Sequence, residues 1–224
     1  MSDAGRTAYL QAMDIPIWIS KTGQQQDVSA QKDIPVTNLN WEQLEHQVSH
    51  CQQCGLSQSR KQTVFGAGNQ QAELMIIGEA PGAEEDRQGL PFVGRAGQLL
   101  TNMLSAIRLD RKQIYIANIL KCRPPGNRDP QPAEVIACKE YLNRQIALIQ
   151  PRLILSVGGV SAKNLLDTDQ PVSRLRGKFH QYAPTQTKLM VTYHPAYLLR
   201  RPEEKEKTWK DLQQVRIYLS DTSH

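Results

Sequence analysis

The residues best suited to chemistry are concentrated in a few unusual stretches of the chain. The run GEAPGAEEDRQGLPFVGRAGQLL, residues 78–100, is dense in glycine, proline and charge. Its glycines allow the backbone to approach a ligand closely or to take positive φ. Glu79, Glu84, Glu85 and Asp86 stand beside Arg87 and Arg95, and acids in a glycine-rich loop of a basic chain suit water activation or recognition of a polar edge. Phe92, in LPFVG, can stack on a flat ring or simply fill the core. Asn118 ends an apolar run, where its amide is costly unless bonded. That amide can donate and accept at once, as reading the Watson–Crick edge of a base requires.

Two further stretches carry cations. KCRPPGNRDP, residues 121–130, sets Lys121, Arg123 and Arg128 on a rigid, turn-rich backbone suited to phosphate contact, although a solvated charged loop would look the same. HPAYLLRR, residues 194–201, offers His194 to stabilise developing negative charge, and Tyr197, Leu198 and Leu199 as an exposed apolar wedge for a base stack. Arg200 and Arg201 can grip phosphates. Taken together these residues describe an enzyme that extrudes a base and attacks its glycosidic bond.

Cys51 and Cys54 form a C-x2-C pair, and Cys122 and Cys138 are the other cysteines of the chain. Four thiolates from one tight pair and two neighbouring elements suit a tetrahedral site. Spacing alone leaves zinc and iron–sulfur both open, with zinc the default for a four-cysteine set.

The elements that must position these residues follow from the apolar pattern. Runs at 74–77, 114–118, 153–157 and 189–193 read as strands buried on both faces. Helical patterns occupy 96–107, 133–149, 160–166 and 203–219, and an Asn40-Trp41-Glu42-Gln43 start predicts a capped helix leading to the first cysteine pair. Strands alternating with helices predict an α/β fold, a three-layer α/β/α sandwich on a central four-stranded parallel sheet. Glu79, Asn118, Gly158 and His194 then all fall just beyond carboxyl ends of strands, where open parallel sheets bind ligands.

Residues 1–38 read as a flexible N-terminal extension and 39–224 as the catalytic domain. The extension holds a polar, Gln-rich stretch and a short apolar motif, Tyr9, Leu10, Met13, Ile15, Ile17, Trp18 and Ile19, able to dock on a protein partner or to pack back on its own domain. At 224 residues and 39% hydrophobic content the chain supports one buried domain with some tail, expected to act as a monomer. A net charge of +5 is compatible with a polyanionic partner without requiring one. No apolar run approaches the ~18–20 residues that span a bilayer. The first residues lack a secretory layout, so a cytoplasmic location is expected, where reducing conditions favour metal-bound over disulfide-bonded cysteines.

The blocks CxxCGLSxSR, VFGAGN, GEAPGAEEDRQGLPFVGRAGQLL, NILKCRPPGNRDP, RLRGKFH and HPAYLLR, in this order, resemble the family 4 uracil-DNA glycosylases, the iron–sulfur branch of that superfamily. The likeness covers residues 39–219. It implies hydrolysis of the N-glycosidic bond of deoxyuridine in DNA, with release of uracil and an abasic site, in base excision repair. It also implies a [4Fe-4S] cluster on Cys51, Cys54, Cys122 and Cys138, replacing the zinc default. By position Phe92 resembles the residue that stacks on uracil, Asn118 the one that reads its polar edge, and His194 the one that faces O2. Glu79 and Glu85 match acidic residues of the pocket, and Ala80 stands where the family often has glycine. The loop after Asn118 holds no histidine, which argues against a covalently trapped product. A shifted base preference and a non-catalytic DNA-binding module are the competing readings.

Overall fold

The computed structural model describes residues 35–221. The apolar motif expected to dock on a partner lies outside these residues. After a 3-10 turn at Val36–Asn38, helix α1 (Trp41–Ser49) starts in a reciprocal capping box between Asn40 and Gln43. Its apolar face, Leu44 and Val48, packs with Leu39, Phe65 and Tyr141. Trp41 meets Phe65 and Tyr115 edge-on, each at 5.3 Å between ring centres.

The sheet is built from β1 (Ala67–Gly68), β2 (Leu74–Gly78), β3 (Tyr115–Asn118), β4 (Leu153–Val157), β5 (Phe179–Tyr182) and β6 (Thr187–Thr192). Their spatial order is β1-β3-β2-β4-β6-β5. The four strands expected from the apolar runs are the parallel centre: β2 pairs with β3 and β4, and β4 with β6. Two short antiparallel strands, β1 and β5, extend the edges. These had no apolar signature, because β1 has two residues and β5 reads FHQY, with three of its four side chains at least partly exposed.

Side-chain alternation along the strands creates the three layers. Met75 and Ile77 of β2 face one core, shared with Cys138, Leu142 and Ile146 of α4 (Pro132–Ile149), Ala162 and Leu165 of α5 (Gly159–Leu166), and Leu175 of α6 (Val172–Leu175). Leu74 and Ile76 face the other. There they meet Leu100 and Leu104 of α3 (Arg95–Ala106), Leu198 of α7 (Pro195–Arg200), and Leu212 and Val215 of α8 (Lys205–Ser220). One further short helix, α2 (Ala83–Gln88), follows β2. The crossover from β2 to β3 therefore runs over one face and that from β3 to β4 over the other. Beside β2 the strand order reverses, and a crevice opens at the carboxyl ends of the strands. No described helix is long and apolar enough to cross a membrane.

Candidate active site

The cleft at that crevice measures about 450 Å³. Glu79, Ala80, Pro81 and Gly82 enter from the end of β2, Glu85 from α2, Phe92 from the next loop, and Asn118 from β3. Pro124, Asn127, Arg128 and Asp129 come from the cationic loop, and His194, Ala196, Tyr197 and Arg200 from the end of β6 and α7. The expected pocket residues Glu79, Ala80, Glu85, Phe92, Asn118 and His194 are thus brought to one cavity.

Gly78 and Asn118 are register partners on β2 and β3. A Cβ placed on Gly78 would stand 2.5 Å from Asn118 Oδ1 and 2.6 Å from Phe92 Cζ, so the ring and the amide converge over bare backbone. Asn118 is 2% exposed, and its Oδ1 has no hydrogen-bond donor among the described residues. Leaving a buried acceptor unpaired costs about 1–3 kcal/mol, and a ligand N–H would relieve that cost. Phe92 has a φ of 54°, a left-handed backbone worth about 1–3 kcal/mol of strain for a bulky residue. Its ring centre lies 5.6 Å from that of His194.

His194 caps α7, ahead of Pro195 in the first helical position. Its Nδ1 accepts the Ala196 N–H at 3.1 Å, which leaves the proton of a neutral ring on Nε2. Burial, reinforced by the Arg200 cation and opposed by Glu85, pulls its pKa down to about 4. At neutral pH it is therefore an uncharged donor. Glu79 moves the other way: burial and the neighbouring Asp129 push its carboxyl up to about 6. Glu85 is partly committed to structure, because Oε1 accepts the Val93 and Gly94 N–H groups at 2.9 and 3.0 Å.

Two of the residues expected to face DNA, Leu198 and Lys121, are buried. Leu198 is 1% exposed and belongs to the core shared with α3 and α8. Successive residues of a helix turn by ~100°, so Leu198 and Leu199 cannot share a face, and Leu199 is the exposed one at 38%. Tyr197 is half-buried and stacked on Tyr193 at 5.0 Å. Lys121, grouped above with the phosphate-contacting cations, is buried beneath the site. Its Nζ donates to the Asn118 carbonyl at 3.1 Å and to Gln145 Oε1 at 2.6 Å, and burial pulls its pKa down to about 7. Arg123 donates to Asn127 Oδ1 within the loop. Arg128 lines the cleft, but its fork is engaged by Glu134 at 2.5 and 3.0 Å. Arg200 and Arg201 are exposed.

Sequence reasoning missed the supports beneath these residues. Gln145 links Lys121 to the Phe65 carbonyl and the Tyr115 hydroxyl. Asp211, fully buried, takes both arms of Arg176 and the hydroxyl of Thr192, two residues before His194. Such partners lie far apart in sequence and carry no local signal.

The four cysteines line a second, smaller cavity with Arg60, Lys121 and Tyr141. The docking of α1 on α4 carries Cys51 and Cys54 towards Cys138, while Cys122 lies in the loop four residues past the end of β3. Arg60 donates to Cys122 Sγ at 3.2 Å and to the Cys51 carbonyl at 2.8 Å. Burial pushes the Cys122 thiol up despite Arg60, and that of Cys138 up to about 11. Among the described residues, no three His, Cys, Asp or Glu side chains gather closely enough to grip one metal ion.

A family model described as the uracil DNA glycosylase superfamily matches residues 65–213. The type-4 uracil-DNA glycosylase of Archaeoglobus fulgidus is 42% identical over 175 residues, covering 75% of this chain and 88% of that protein. The type-4 enzyme of Pyrobaculum aerophilum is 42% identical over 180 residues, 78% of this chain and 92% of its own length. That of Thermotoga maritima is 36% identical over 179 residues, 79% and 93% respectively. The chain belongs to the uracil-DNA glycosylase superfamily and, within it, to the type-4 uracil-DNA glycosylases.

Proposed function

We propose that this protein excises uracil from DNA by hydrolysing the N-glycosidic bond of deoxyuridine. Its reaction leaves an abasic site, the opening step of base excision repair. The observation that carries the reading is the buried Asn118 Oδ1, without a donor among the described residues, in the same cleft as the neutral His194 and the Phe92 ring.

In this reading the extruded base stacks on Phe92 and gives its N3–H to Asn118 Oδ1. Bond breaking leaves negative charge on uracil and an oxocarbenium-like sugar. His194 Nε2–H donates to O2 as that charge develops, and a neutral donor does so without an imidazolium having first to be formed. Glu79, in its carboxylate form, orients the water that captures the sugar and stabilises the cation. Arg200, Arg201 and the loop around Arg123 supply phosphate contacts, and Leu199 takes the wedge role in place of Leu198. Arg128, tied to Glu134, mainly braces its loop.

The four cysteines fit a resident cluster. All four line one cavity beside Arg60, whose guanidinium donates to Cys122 Sγ, and a set of four thiolates next to a cation suits a [4Fe-4S] unit. Such a cluster would tie the segment at Cys51 and Cys54 to Cys122 and Cys138, and would supply structural support, since hydrolysis transfers no electrons. The reading is tested by single-turnover assays on single- and double-stranded oligonucleotides carrying one uracil. Free uracil and an alkali-labile site are the expected products; their absence from protein with an intact fold would refute the assignment.

A further inference from the structure

Phe92 keeps a backbone conformation, φ 54°, that bulky aromatic residues rarely adopt. Such a conformation persists only where its surroundings over-determine it. Here the surroundings act from three sides. After Phe92, Glu85 Oε1 holds the Val93 and Gly94 N–H groups. Against it lies Gly97 of α3, where a Cβ would come within 1.8 Å of the Phe92 carbonyl oxygen. On the remaining side Arg111 reaches back from the turn before β3. Its Nη1 donates to the Phe92 carbonyl at 3.0 Å, and its Nη2 to the Pro91 carbonyl at 2.8 Å. Nη1 also meets Thr101 Oγ1 at 3.3 Å, which steadies the guanidinium against α3. A cation thus holds carbonyls and an anion holds amides around one strained residue, and each charge-assisted bond is stronger than a neutral one.

We propose that Arg111 is a positioning residue for uracil excision: its fork fixes the left-handed Phe92 backbone and so the plane on which the base stacks. Arg111 does not line the cleft, so it acts through Phe92 and not on substrate. Lysine would be a poor replacement, because one ammonium cannot span two successive carbonyls with a rigid fork. The inference rests on the stacking role given to Phe92 above.

The test is a double-mutant cycle of R111K and F92L, read by single-turnover excision, inhibition by free uracil, and thermal midpoint. R111K is expected to slow excision by about 10-fold or more, on the scale of a misplaced binding group, and to weaken uracil inhibition by a similar factor. The midpoint should fall by only a few degrees. F92L should also slow excision, and adding R111K to it should slow it no further, because the two act as one unit. A wild-type rate in R111K, or a full additional loss on the F92L background, overturns the role of Arg111. A wild-type rate in F92L overturns the stacking role itself, and with it the proposal. Should R111K fail to fold, T101V replaces it: slower excision alone and none further on F92L supports the role, and any other pattern overturns it.

Discussion

Glu79 and His194 share one cleft, and burial shifts their proton affinities in opposite directions until they exchange order, the carboxyl up to about 6 and the imidazole down to about 4. The sign is the same in physical terms: each loses charge, the acid by keeping its proton and the base by shedding it. If the Glu79 carboxylate is the working form, excision falls as pH drops through about 6 and is level above it. Asp129→Asn removes the repulsion that helps raise Glu79, so this limb should move to lower pH. Glu79→Gln should abolish it, and a single-turnover pH profile of the three proteins decides the matter. His194 should contribute no limb between pH 5 and 8, because it stays neutral there. His194→Ala and Asn118→Ala should each lower single-turnover excision by at least ~10²-fold, the scale of one lost stabilising donor or acceptor. Near wild-type rates in either would remove that residue from the chemistry.

At the scale of elements, α7 separates two leucines that the sequence presents as one apolar group. Leu198→Ala should cost about 2–5 kcal/mol in urea unfolding, since it empties a core position. Leu199→Ala should leave stability within about 0.5 kcal/mol. It should slow excision more on double-stranded than on single-stranded substrate, because only the duplex needs opening. Equal effects on both substrates would deny Leu199 the wedge role. Buried parallel strands announce themselves as continuous apolar runs, so the four central strands and the placing of Glu79, Asn118 and His194 at strand ends were legible. The apolar run at 196–199 reads equally as strand or wedge, and it is a helix here because His194 caps it, Pro195 opens it and Leu198 is buried. The edge strands β1 and β5 are set by their partners and not by their own composition. Arg111, Gln145 and Asp211 were invisible for a related reason: each acts across a fold that must exist first.

For the molecule as a whole, the cysteine cavity joins the start of the described domain to the end of β3 through Cys122, Lys121 and Asn118. Cys138→Ser should give colourless protein with little bound iron and a lower thermal midpoint, as expected where metal affinity contributes to folding. Excision should fall with it, through disorder of the loop that follows Asn118. Iron content, visible absorbance and excision rate, measured together, check this; unchanged iron would exclude Cys138 as a ligand. Asn118 Oδ1 has no hydrogen-bond donor among the described residues, and under the proposed function free uracil offers it the same N–H edge as the nucleotide it came from. The product therefore fits the acceptor as well as the substrate does, and the vacated site is prone to hold it. Free uracil at about 100 times its dissociation constant should raise the stability of the whole domain by about 2.7 kcal/mol. Multiple-turnover kinetics should then open with a burst and settle to a rate set by product release, a brake that Asn118→Ala would relax even as it slows the chemistry.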